Sequence, residues 1–158
     1  MRQFFFALAF VVSACATPHA RADETDINYA ERVVACVTAT DGDEALLNAC
    51  QGAASRPCME TDGGASTMGM VMCLSAEGDA WVSLMEAAQV RLSASNPDAA
   101  DALIRAQQQW REYRDAECSY SVARWGQGSG ARVQYAACMA HLTADRAVEL
   151  LVIEKLGD

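Results

Sequence analysis

Cys118 stands ten residues before Gly128 and Cys138 ten residues after it, with a glycine-rich turn, Gly126 to Gly130, between two long runs of helical spacing. Antiparallel helices bring together residues equidistant from their turn. A disulfide requires Cα atoms roughly 4.4–6.8 Å apart, so a hairpin turning at Gly128 would hold the two thiols level and bond them. The symmetry points to a stapled αα-hairpin, a piece of scaffold, before it points to chemistry.

The remainder also reads as helix. Residues 28–39 place Val33, Val34 and Val37 on an apolar stripe, which Asp41-Gly42-Asp43 breaks. A second helix over 43–54 carries Leu46, Leu47 and Cys50, and residues 55–64 have loop chemistry. Ser66 or Thr67 can cap a third helix reaching about Ser93, with Met70, Cys73, Leu74, Trp81, Leu84, Met85 and Ala88 at helical spacing. Gly69 and Gly78 weaken that helix, so a neighbour must approach closely there or the helix is irregular. Asn96-Pro97-Asp98 supplies a cap, a proline for the first turn and an acid favoured by the helix dipole. It starts a fourth helix expected to end near Trp125. A fifth, from Ala131 to about Lys155, would bury Val133, Ala137, Leu142, Val148, Leu151 and Val152. The expected class is all-α, a small helical bundle around the stapled hairpin (66–158) preceded by a cysteine-bearing helical extension (23–65).

Residues 1–22 look like a targeting segment. Arg2 precedes an apolar run of 13 residues, Phe4 to Ala16, and Ala20-Arg21-Ala22 forms a small-x-small cleavage site. The run is shorter than the roughly 20 residues a spanning helix needs. Cleavage after Ala22 would release a periplasmic or secreted chain. The alternative is a lipoprotein anchored at Cys15, within Val12-Ser13-Ala14-Cys15.

The six other cysteines form an even set, as expected of an exported, disulfide-bonded protein. Beyond Cys118–Cys138 the expectation is the near-sequential pairs Cys36–Cys50 and Cys58–Cys73. Six cysteines nevertheless permit 15 pairings, among which sequence does not choose. With no CxxC pair and only His141 left after cleavage, zinc spacing is missing and no metal or cofactor is expected. Loss of Arg2 and Arg21 would move the net charge from −9 to −11. That charge repels phosphate backbones and anionic headgroups, which argues against nucleic acid as a partner. It would attract a basic protein, although acidity is also an ordinary route to solubility.

Gln107, Trp110, Arg114 and Cys118 are spaced three, four and four residues apart and share one helical face, with Tyr113 and Asp115 beside it. The reading is a tryptophan core anchor, with Arg114 bonded to a carbonyl or carboxylate so that the two long helices are locked in register. A ligand-binding arginine is the alternative. The ordered set Gln107, Trp110, Tyr113, Arg114, Asp115 and Cys118, then the Gly128-Ser129 turn, Cys138, and Thr143, Arg146 and Leu150, resembles the N-terminal domain of the LprI family of lysozyme inhibitors. The resemblance covers about residues 66–155. It implies a small, helical, disulfide-stabilised exported protein and, for some members, inhibition of lysozyme. The motif residues sit at helix-packing spacing and read as scaffold.

Enzyme chemistry finds little support. The glycine turn matches neither a nucleophile elbow nor a phosphate-binding loop. His141 reads as a hydrogen-bonded, partly buried histidine, and Glu112/Asp115 and Asp98/Asp101 as ordinary helix acids without a cleft between them. The expected activity is protein binding, with a basic exported protein such as lysozyme as the partner; a structural or envelope-stress role with another exported partner is the alternative. The candidate grip is the turn itself. Arg124 and Arg132 flank it, Gln127 and Ser129 supply donors, and the staple holds both of its ends. Its plain alternative is a glycine-rich helix connection.

Overall fold

A computed structural model describes residues 28–126 and 128–157. The leader features, Cys15 and Ala22 included, and Gln127 lie outside the described residues. Six helices follow in order: α1 (Tyr29–Ala39), α2 (Glu44–Ala49), α3 (Ser55–Met59), α4 (Thr67–Ser95), α5 (Pro97–Trp125) and α6 (Gly130–Gly157). No strand occurs among the described residues, and the fold is all-α.

The starts of the helices follow local chemistry. The side-chain oxygens of Asn28, Asp43, Ser66 and Asn96 accept from the backbone N–H groups of Glu31, Leu46, Gly69 and Ala99, one cap for each of α1, α2, α4 and α5. Gly126 ends α5 with φ at +76°, a conformation that costs glycine little.

The core is built on α4 and α6, which pack more extensively than any other pair. They run parallel, since Gly78 meets Ala140 and Arg91 meets Glu154. A Cβ built on Gly78 would touch the Ala140 Cα at 3.4 Å, so close approach accounts for this glycine. Gly69 is more constrained, because a Cβ there would fall 2.0 Å from the Gly63 carbonyl oxygen. The helix stays continuous through both. Trp81, Met85 and Ala88 of α4 pack with Ala144, Ala147, Val148 and Leu150 of α6. Val33, Leu47, Cys50 and Ala54 join the same cluster, so the N-terminal helices share one core with the hairpin.

Disulfides link Cys36 to Cys50, Cys58 to Cys73 and Cys118 to Cys138, with Cα separations of 5.7, 5.8 and 5.5 Å. The last joins α5 to an antiparallel α6 across the glycine turn. At the far end of the bundle Arg91 donates to Glu154, and this hydrogen bond raises the guanidinium pKa further above its ordinary value against the opposing effect of burial.

Several sequence expectations need correction. The helix expected over 43–54 ends at Ala49, and part of the expected 55–64 loop is α3. No side chain of α3's own neighbourhood caps it. The cap comes from Glu77 of α4, whose carboxylate accepts the N–H groups of Gly52 (2.5 Å), Ala54 (3.0 Å) and Ser55 (2.5 Å). Pro57 fits the first turn because its missing N–H has no intrahelical partner there.

Trp110 is not the core anchor. It is half-buried, and the fully enclosed tryptophan, at 0% exposure, is Trp81. The reason is the peripheral place of α5, which buries only Gln107 and Cys118 among its described side chains. On α6, Val148 is buried as expected, but Val133, Ala137, Leu142, Leu151 and Val152 are half-buried. The fully buried face carries Ala131, Ala136, Thr143, Ala144 and Ala147, small residues that let α4 come close, and the larger Leu150. Val34 is exposed, since α1 turns Val33 inward. His141 is exposed rather than partly buried, its Nδ1–H donating to Gln51 Oε1 at 2.7 Å.

Candidate partner-binding site

The hairpin is locked by polar groups as well as by its staple. Gln107 is 0% exposed and sits where three helices meet. Its carbonyl accepts from Arg146 Nε at 2.5 Å, and its amide faces Gln89 Oε1 of α4 at 3.4 Å. Arg146 also pairs with Glu149 at 2.6 Å. Nearer the staple, Arg114 Nη1 donates to Thr143 Oγ1 at 3.2 Å, and the same guanidinium pairs with Asp115 at 2.9 Å. The Arg114 guanidinium carbon lies 5.2 Å from the centroid of the Trp110 ring, a cation–π distance that covers the outer tryptophan. Thus Arg114 bonds a carboxylate, as expected, but that of its own helix, and it reaches α6 through the Thr143 hydroxyl.

Of the remaining motif residues, Leu150 is buried, while Tyr113 and Asp115 face solvent. No described buried side-chain polar atom lacks a hydrogen-bond partner. A fully satisfied network of this kind fixes the register of two helices.

The tip carries an exposed aromatic and cationic surface. Trp125 is 61% exposed, and Tyr120 and Tyr135 are also open to solvent. Neither aromatic position on α5 dangles freely. The Trp125 ring lies against Gly130, where a built Cβ would meet it at 3.3 Å, and the Arg124 guanidinium stands 6.0 Å from the centre of the Tyr120 ring. Ser121, Arg124, Trp125 and Gln134 line a depression of about 420 Å³ between the end of α5 and the start of α6. Gln134 Nε2 donates to Ser121 Oγ at 3.0 Å beneath it. Tryptophan, tyrosine and arginine are the side chains that most often dominate binding energy at protein interfaces.

Three of the four residues expected to grip a partner, Arg124, Ser129 and Arg132, are exposed at this end, and Gln127 lies outside the described residues. Tyr120, Trp125, Gln134 and Tyr135 join them, although sequence reading had not chosen them. The available signal was the i, i+4 spacing of Tyr120 and Arg124 together with a tryptophan abutting a glycine turn. Among the described residues no group of three or more His, Cys, Asp or Glu could hold a metal ion. The buried acid, Glu77 at 4% exposure, is fully engaged in holding α3 and in accepting from Trp81 Nε1 at 3.4 Å.

A small all-helical frame pinned by three disulfides, with exposed aromatic and arginine side chains at one end, defines a disulfide-stapled helical scaffold. Residues 58–150 match the sequence model of the family described as lysozyme inhibitor LprI. The chain belongs to that family. The match begins at Cys58, eight residues before the resemblance seen in the sequence, and so takes in the cysteine bonded to Cys73. No curated protein and no solved structure matches the chain.

Proposed function

We propose that this chain is an exported protein-binding module that inhibits a lysozyme through the tip of the α5–α6 hairpin. The observation that carries the partner class is membership of the LprI family across residues 58–150. The geometry supports the place of contact. Tyr120, Arg124, Trp125 and Arg132 project from a connection held by the Cys118–Cys138 bond and the Arg114–Thr143 hydrogen bond, so little conformational freedom is lost on association. The arginines suit the carboxylates of a glycosidase cleft. The acidic balance of the chain, −9 overall, would steer a basic enzyme to encounter.

Export follows the same logic. Three disulfides belong to an oxidising compartment. The mature chain then begins at Asp23, and intact-mass analysis of the exported protein tests this against a lipid-modified chain beginning at Cys15.

The direct test is a lysozyme lysis assay with the purified, oxidised mature chain. A saturating, non-catalytic slowing of lysis is expected. Undiminished lysis in excess of the folded protein would reject lysozyme and favour a structural or envelope-stress role with another exported partner.

A further inference from the structure

We propose that the groove between α4, α5 and α6 binds a single-chain fatty carboxylate, with its alkyl chain lying along α6 and its head at Arg132. Away from the Asn96 connection α4 and α5 part, leaving one side of α6 uncovered between them. The space encloses about 670 Å³, within the usual range of small-molecule sites, roughly 300–1,000 Å³. Its walls are Val71, Leu74 and Val82 of α4, Val122 of α5, and Tyr135 and Met139 of α6. Its floor is shallow-chained, with Gly78, Ala136 and Ala140, so a slender occupant can reach the backbone of the helices. The α6 lining extends from Ala131 to Thr143, about 18 Å at 1.5 Å per residue. That is the reach of an extended zigzag chain of roughly fourteen to fifteen carbons, each bond advancing about 1.3 Å along the axis.

The polar groups set the direction. Arg132 lines one end of the groove, is exposed, and forms no ion pair with any described residue. It also stands in the first turn of α6, where the helix dipole favours an anion. At the other end Arg114 is engaged by Asp115 and Thr143, and Asp79 presents a negative charge. A carboxylate is therefore attracted to the Arg132 end and repelled from the Asp79 end, whereas a cationic head finds the reverse only beside the already engaged Arg114. This inference shares Arg132 with the proposed lysozyme-binding tip, but its apolar walls lie on the flank of the hairpin, so the groove-filling variants test it apart from the tip.

The test is calorimetric titration of the oxidised mature chain with octanoate, decanoate and dodecanoate, each below its micellar concentration. One saturable site is expected, tightening roughly fifteenfold for each two methylenes added, since full burial of one methylene gives about fourfold. Dodecyltrimethylammonium should not compete. Arg132→Gln should weaken dodecanoate about tenfold, and Val122→Trp or Val82→Trp, filling the groove from opposite walls, should abolish binding. A variant that does not melt like the parent is replaced by the other, and Arg132→Gln, on the surface, serves if both fail. Absence of a saturable site, an affinity independent of chain length, or undiminished binding in a folded groove-filling variant would overturn the proposal. So would loss of lysozyme inhibition in Val122→Trp when the parent takes up no dodecanoate, which would make the groove a protein-docking surface.

Discussion

The two halves of α6 live in different surroundings. From Thr143 to Leu150 it is enclosed, with Trp81, Met85 and Ala88 of α4 and Val33 and Leu47 of the N-terminal helices completing a common cluster. From Gly130 to Met139 it borders an open groove and ends in an exposed tip, and only Ala131 and Ala136 are buried. The first half is held by apolar packing. The second is held by the Cys118–Cys138 bond, with Arg114 reaching Thr143 at the boundary between the two. A small protein that must present surface cannot bury everything, and covalent and polar pins here replace a core where the core is absent. Stability is thus concentrated in one half, and the surface available to a partner in the other.

The sharpest way to break this comparison is to exchange the two tryptophans in turn. Trp81→Ala should cost about 3–5 kcal/mol, the penalty of emptying a closed site, and should leave the domain at the margin of folding. Trp110→Ala, at a half-buried position, should cost clearly less, about 1–2 kcal/mol. Thermal and urea melts of the pair check the order, and equal costs would place the core of the protein further toward α5.

The next effect is that of the staple. Replacing Cys118 and Cys138 together by Ala should cost about 3 kcal/mol, because a loop of 20 residues is released in the unfolded chain. Hydrogen exchange should then rise first from about residue 118 to 138, while the Trp81 cluster stays protected.

Glu77→Ala tests the acceptor that holds α3. It leaves the N–H groups of Gly52, Ala54 and Ser55 to find water or stay unpaired, at a cost of about 2–3 kcal/mol. The melt should fall accordingly, and exchange at residues 52–59 should speed up more than in the rest of the core. Gln107→Ala should cost about 1–2 kcal/mol, since Arg146 keeps Glu149 as a partner.

The order of these effects explains what could be read from the chain alone. The hairpin was legible because its signals are local or symmetric. Asn96-Pro97 starts α5, Gly126 ends it, and two cysteines lie equidistant from the turn. At Gly69 and Gly78 the sequence left close approach and an irregular helix open, and the neighbours Gly63 and Ala140 decide for the former. What escaped depends on tertiary neighbours. Glu77 sits four residues from both Cys73 and Trp81, on a buried face, yet nothing local identifies the three amides it serves. Helix α3 takes its cap from that carboxylate and is tied to α4 by Cys58–Cys73, so its segment reads as loop when taken alone. Trp110 was misplaced because helical spacing shows which residues share a face but not how much of that face a neighbour covers. The tip aromatics were legible as residues, but their exposure was not.

The central claim is that the hairpin tip binds lysozyme while contributing little to the fold. It is tested most directly by measuring lysozyme inhibition and melting of the Arg124→Ala/Trp125→Ala variant beside the parent. Both side chains are exposed, so melting should change by less than about 0.5 kcal/mol for each substitution. Inhibition should weaken at least a hundredfold, the effect of removing an interface anchor and its cationic neighbour. A variant that melts like the parent and inhibits as well as it does would contradict the account.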